Sequence, residues 1–155
     1  MSASIEAVRL WMVLSRCHRA VGQIAERSVA DAGLCLTDFA ALEALLHKGP
    51  LTISEIQENV LLASGSMTAA VDRLEKKGLL IRTADPEDRR AKRLELTAEG
   101  KRVVEAAFRR HAAELDAASS VLQASEKRQL YALLKKLGHF AAGTGGFEAR
   151  KGKAK

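Results

Sequence analysis

The stretch from Thr52 to Gly100 restricts the possible folds of this chain more than any other part of its sequence. It contains two short apolar-patterned segments, then two β-prone runs around a charged turn, and then the start of a long helical pattern. The order predicts two short helices, a hairpin and a longer helix. It suits nucleic-acid binding better than catalysis, because it sets a helix with small exposed side chains beside a loop that carries arginines.

The first short helix is predicted from its start signal. Thr52 is followed three residues later by Glu55, the spacing of a capping box in which two side chains satisfy backbone N–H groups at a helix start. Ile53, Ile56 and Val60 then recur at helical spacing. The pattern therefore predicts a short helix with one apolar face.

The second short helix carries an outward face that suits double-stranded DNA. Ser64 is predicted to cap this helix, and Gly78 to end it in the left-handed conformation. Small side chains near the helix start allow a close approach to base edges, and cations further along meet phosphates. An ordinary solvated face is the alternative. The predicted DNA contacts on this helix are Ser64, Ser66, Thr68, Arg73 and Lys76.

The predicted hairpin adds a second candidate contact with DNA. Residues 79–82 are β-prone, and residues 91–97 alternate with Leu94 on the inner face. The turn between them places Arg89 and Arg90 near its tip. An arginine on a loop tip can enter the narrow minor groove, so both are predicted DNA contacts. The acids of the turn are predicted to pair with arginines rather than to hold a metal ion.

Three runs in this region resemble the multiple-antibiotic-resistance regulator (MarR) family of bacterial winged-helix transcription factors. They are SGSMTAAVDRLEKKGL, DPEDRR and LTAEG. The resemblance covers roughly residues 5 to 140. It implies a mainly α fold with a small β-wing, in which residues 34–100 form a winged helix-turn-helix DNA-binding region. It also implies a homodimer that binds a palindromic operator, usually as a repressor, and releases it on binding a small molecule or on oxidation.

The segments outside this region are predicted to be long amphipathic helices. Their apolar stripes need a covering surface, which a second copy of the chain would supply, and a monomer in which they pack on each other is the alternative. Residues 1–33 and 101–142 are therefore predicted to form a helical dimerisation region, and residues 143–155 a flexible basic tail. The predicted caps of the remaining helices are Thr37, Thr97 and Ser125.

A ligand crevice between the dimerisation helices and the winged helix is implied by the family resemblance. Trp11, His18 and Phe39 are the candidate lining residues, and a small aromatic, phenolic or electrophilic compound is the predicted inducer. The alternative reading makes Trp11 and Phe39 core residues and His18 a satisfied interior or interface histidine.

Two other functions stay open at this point. Some members of the family sense peroxides with a cysteine near the start of the first helix, which makes Cys17 a candidate redox residue. Cys17 lies further along the helix, however, and the only tyrosine of the chain is Tyr131, so a buried unreactive thiol is expected. The second alternative is a winged helix used as a protein-interaction module, which would need no cations at Arg73, Arg89 and Arg90.

Composition agrees with a DNA-binding regulator and disfavours other classes. The net charge of +6 and the pI of about 9.6 are compatible with binding a polyanion. Cys17 and Cys35 have neither disulfide-framework nor metal-ligand spacing. No phosphate loop, nucleophile elbow or stretch of ~20 apolar residues is present, which predicts a cytoplasmic protein that is not an enzyme and uses no cofactor.

Overall fold

The computed structural model describes residues 2–60, 66–86 and 91–145, and the helices and strands below lie within these ranges. A two-stranded antiparallel hairpin stands between four preceding and two following helices, which confirms the predicted mainly α fold with a small β-wing. In chain order the elements are α1 (Ser2–Ala30), α2 (Leu36–Lys48), α3 (Ile53–Asn59), α4 (Met67–Lys76), β1 (Leu80–Ala84), β2 (Lys92–Leu96), α5 (Ala98–Ala118) and α6 (Ala124–Gly145).

One small apolar core fixes the central elements to one another. Its largest fully buried side chains include Leu42 from α2, Ile56 from α3, Leu74 from α4, Leu80 from β1 and Leu94 from β2. Each element contributes at least one of these leucines or isoleucines. The apolar surface of each element is therefore removed from water only when the other elements are in place. Val104 and Ala107 of α5 belong to the same core.

The start signals of α3 and α5 are confirmed. The Thr52 hydroxyl accepts a hydrogen bond from the Glu55 amide at 3.2 Å, and the Glu55 carboxylate accepts one from the Thr52 amide at 2.7 Å. At α5, the Thr97 hydroxyl accepts a hydrogen bond from the Gly100 amide at 2.9 Å. Gly78 after α4 has a φ of 71°, the left-handed conformation that was predicted for it.

Three other predicted caps were wrong. Ser66 caps α4 by accepting from the Ala69 amide at 3.3 Å, because the helix begins at Met67; Ser64 lies outside the described residues. Cys35 is the N-cap of α2, so Thr37 lies inside the first turn. At the start of α6, the amide of Gln123 donates to the Glu126 carboxylate at 2.8 Å, which places Ser125 within the helix. A helix can begin at any of several neighbouring polar residues, and the surrounding packing selects one.

The hairpin rests on the core through β2. Leu94 is fully buried and faces Arg82 across the ladder, whereas Thr83 and Glu95 are joined by a hydrogen bond of 2.8 Å on the partly exposed side. Leu94 also exchanges two backbone hydrogen bonds with Leu51, of 3.2 and 2.8 Å. The hairpin is therefore tied to the connection between α2 and α3 as well as to the core.

The chain divides into two compact units, residues 1–116 and 117–155. In the second unit α6 continues to Gly145, three residues into the segment that was predicted as a tail, and residues 146–155 lie outside the described residues. Leu133, Leu137 and Phe140 of α6 are exposed. Among the described residues, no helix combines the length and the apolar character needed to cross a bilayer.

Candidate DNA interface

Helix α4 separates its apolar and polar residues cleanly. Met67, Ala70, Val71 and Leu74 are buried on one side, as the helical period requires. The opposite side is exposed and carries Ser66, Thr68, Ala69, Asp72 and Lys76. The predicted contacts Ser66, Thr68 and Lys76 therefore lie on one accessible face of the helix.

The polar face begins with small side chains. The Ser66 oxygen accepts the capping hydrogen bond from Ala69, so a contact of this residue with a phosphate must come from its O–H group. Thr68 and Ala69 are short enough to let a surface approach the helix closely. Lys76 follows in the last turn, which is the order of small residues and then cation that the sequence predicted.

Arg73 is bound to the protein itself. Its Nη2 donates to Asp38 Oδ1 at 2.6 Å, and the Asp38 side chain is only 4% exposed. This hydrogen bond, and then the charge of Asp38, raise the pKa of Arg73. The pair joins α4 to the first turn of α2, so the half-exposed Arg73 has a structural role beside its predicted role as a DNA contact.

Arg82 of β1 forms ion pairs with two carboxylates of α4. Its Nη2 donates to Asp72 Oδ1 at 2.5 Å, and its Nη1 donates to Glu75 Oε2. The hydrogen bond with Asp72 is the largest cause that raises the pKa of Arg82. Sequence reasoning missed this cluster, since no local pattern marks an arginine in a strand as the partner of acids in the preceding helix.

Arg93 ties the hairpin to the rest of the domain. Its Nε donates to Asp85 Oδ2 at 2.7 Å, and its Nη1 donates to the Pro50 carbonyl at 3.0 Å. Asp85 is buried, and its pairing confirms for this residue the prediction that the acids of the turn pair with arginines. Residues 87–90 of the turn, which include the predicted contacts Arg89 and Arg90, lie outside the described residues.

The three candidate ligand residues lie in different environments. Phe39 is 3% exposed and packs against the ring of His111 at 4.9 Å between centroids, as expected for a core residue. Trp11 is 67% exposed, so the core alternative was wrong for this residue within a single chain. His18 is also exposed on α1 rather than interior to the chain.

Both cysteines are exposed. The expectation of a buried thiol at Cys17 was therefore wrong for the single chain, because that part of α1 is not covered. Cys35 occupies the N-cap position of α2 without a side-chain capping hydrogen bond, and its Sγ lies 3.7 Å from Arg73 Nη2. Within the described ranges, no group of histidine, cysteine and acidic residues has the arrangement of a metal site.

A short helix, a second helix with an exposed polar face, and a hairpin that leads into a long helix define a winged helix-turn-helix DNA-binding protein. Residues 34–92 match the MarR family model. The chain is 41% identical over 133 residues to the HTH-type transcriptional regulator MhqR of Bacillus subtilis (strain 168), which covers 86% of this chain and 92% of that protein. The chain belongs to the MarR family and is a DNA-binding transcriptional regulator, not an enzyme.

Solved structures give the same fold. A mutant MarR from E. coli complexed with operator DNA has a TM-score of 0.75 at 22% identity, over 85% of this chain and 95% of that chain. An organohalide-sensing transcriptional regulator in its 2,4-dichlorophenol-bound form has a TM-score of 0.77 at 23% identity, over 90% of this chain and 83% of that chain.

Proposed function

We propose that the protein acts as a homodimer that binds a palindromic operator through α4 and the wing and represses transcription from it. The observation that supports the dimer is the uncovered apolar surface of α1, where Ile5, Val8, Trp11 and Met12 share one side of the helix and are all exposed. Contiguous apolar surface of this kind is unfavourable in water and is typical of a protein–protein contact. In α6, Leu133, Leu137 and Phe140 are exposed as well, and we expect a partner subunit to bury them in the same way.

This proposal assigns the terminal helices to dimerisation and residues 34–100 to DNA binding. Because a two-fold axis relates the subunits, the two α4 helices would read two half-sites with centres about 10 base pairs apart, or a multiple of this distance. Ser66, Thr68 and Lys76 would contact each half-site, and Arg89 and Arg90 of the wing would enter the adjacent minor groove.

The test is selection of bound sequences from a random DNA pool, combined with sedimentation of the free protein. We expect a palindromic motif with the spacing above and the mass of a dimer. Trp11→Asp should shift the sedimentation towards monomer and weaken operator binding, because it places a charge in the apolar contact. A monomeric wild-type protein that selects no symmetric motif would contradict the proposal.

The role of α4 is tested separately with Lys76→Gln. Each phosphate contact that is lost lowers the slope of log K against log salt by ~1, so a dimer should lose about 2. Lys136→Gln removes a lysine of α6 in the second unit and is the matched control. If both variants retain the wild-type slope and affinity, and Arg90→Ala does so too, the fold serves as a protein-interaction module instead.

Release of the operator by a small phenolic, aromatic or electrophilic compound is the second part of the proposal. Trp11, His18 and Phe39 are the residues that the resemblance predicts to line the crevice, and a regulator of similar fold has been described in its 2,4-dichlorophenol-bound form. A panel of phenols and quinones should weaken operator binding by the wild-type protein. The exposed Cys17 supports thiol-based sensing as the alternative, which predicts release by peroxide in the wild type but not in Cys17→Ser.

A further inference from the structure

Helix α4 presents two carboxylates beside its small and cationic residues. The side chains of Asp72 and Glu75 are 60% and 38% exposed. A helix that approaches DNA meets a dense row of phosphates, so uncompensated carboxylates on it oppose binding. The structure compensates both charges with a single side chain, Arg82.

The register of the hairpin explains why Arg82 reaches these acids. Arg82 lies directly opposite Leu94, and cross-strand partners point to the same face of a two-stranded sheet. Leu94 is fully buried on the face that packs against the core, where Leu74 of α4 is also buried. The Arg82 side chain therefore extends under α4, and its guanidinium emerges at Asp72 and Glu75.

Both terminal nitrogens of Arg82 are used in this way. Nη2 binds Asp72 and Nη1 binds Glu75, and the Arg82 side chain is mostly covered. A guanidinium with both terminal nitrogens on carboxylates is poorly placed to bind a phosphate as well. Lys76 on the same helix is exposed, and among the contacts of the described residues its ammonium group has no carboxylate partner.

We propose that Arg82 is a positioning residue for DNA binding, which neutralises and fixes Asp72 and Glu75 so that α4 can enter the groove, without contacting DNA itself. The inference rests on the proposed role of α4 in DNA recognition. It assigns to the wing strand a function apart from that of its tip, because β1 sets the charge and the orientation of the neighbouring helix.

The experiment measures binding of a labelled duplex that carries the selected motif, and of a scrambled duplex of equal length, at several salt concentrations. Arg82→Gln should weaken binding of both duplexes by about tenfold, since it exposes two carboxylates per subunit to the phosphates. Adding Asp72→Asn and Glu75→Gln to that variant should restore most of the affinity. Failure of the triple variant to recover, with a salt slope lowered by about 2 per dimer, would show a direct phosphate contact and overturn the proposal.

A second variant keeps the test decisive if Arg82→Gln unfolds. Asp72→Asn with Glu75→Gln in the presence of Arg82 removes the charges that need compensation, and we expect affinity equal to or above that of the wild type. A loss of affinity for the selected motif alone would overturn the proposal, because it would mean that the acids read bases, for example the amino group of cytosine. Wild-type affinity in these variants and in Lys76→Gln would instead reject the role of α4.

Discussion

Ser28 Oγ and His111 Nδ1 lie 2.7 Å apart and join the end of α1 to α5. The same hydroxyl donates its only hydrogen to the Ala25 carbonyl at 2.7 Å, so the hydrogen between Ser28 and His111 belongs to the imidazole. This assigns the Nδ1–H form to His111. Its ring also packs on Phe39, so α1, α2 and α5 meet at one side chain.

Ser28→Ala should lower the free energy of unfolding by about 1–3 kcal/mol, because the Nδ1–H group of His111 loses its acceptor in a partly buried site. Urea denaturation at a fixed protein concentration measures this difference. Ser54→Ala, at an exposed position of α3, is the control and should change stability by less than about 0.5 kcal/mol. Equal effects of the two substitutions would mean that the Ser28–His111 bond contributes nothing.

Arg73→Ala should lower the melting temperature by several degrees, because it leaves the buried Asp38 carboxylate without its partner. Loss of DNA affinity in this variant would then reflect a displaced α4 as well as any lost phosphate contact. Thermal unfolding of Arg73→Ala with Asp38→Asn separates the two effects, since the double variant should recover melting temperature. Unchanged melting of the single variant would argue against a structural role of Arg73.

Only some of the local signals of the sequence were reliable, since the caps predicted at Ser64, Thr37 and Ser125 were wrong. The capping box of Thr52 and Glu55, the cap at Thr97 and the left-handed Gly78 were predicted correctly, because the interacting groups lie within three residues of each other or depend on one backbone angle. The fold class followed from these signals and from the family resemblance.

The pairings between elements could not be predicted from the sequence. Arg73 and Asp38 are 35 residues apart, and the packing of α4 on α2 brings them together. The interpretation of Trp11 as a core residue was wrong for a related reason. Helical periodicity marks the apolar face of α1 but does not show whether the same chain or another one covers it.

Gly100→Ala should be strongly destabilising, by about 3 kcal/mol or more, because a Cβ at this position would overlap the carbonyl of Leu79. The backbone just before β1 lies directly against the first turn of α5 at this point, so the substitution would push the two segments apart. Gly138→Ala in α6, where a Cβ meets no atom within 4 Å, is the matched control. Because alanine has a higher helix propensity than glycine, Gly138→Ala should raise the free energy of unfolding by up to about 1 kcal/mol. A comparable loss of stability in both variants would contradict the prediction.

The capping box of α3 should make stability depend on pH. The hydrogen bond from the Thr52 amide, followed by that with the Thr52 hydroxyl, holds the pKa of Glu55 below its ordinary value of 4.5. Because the folded state lowers this pKa, the stabilisation is present above pH 4.5 and is lost as the pH falls through the folded value.

Glu55→Ala should therefore be less stable than the wild type at neutral pH, and the difference should shrink in acid. Thr52→Ala should cost about 1 kcal/mol at neutral pH, since it removes the other half of the box. Glu58→Ala, at an exposed position of the same helix, controls for the loss of one carboxylate from α3. Chemical denaturation of the four proteins at neutral and acidic pH measures these differences, and a Glu55→Ala deficit that stays constant into acid would show that the carboxylate charge does not stabilise the cap.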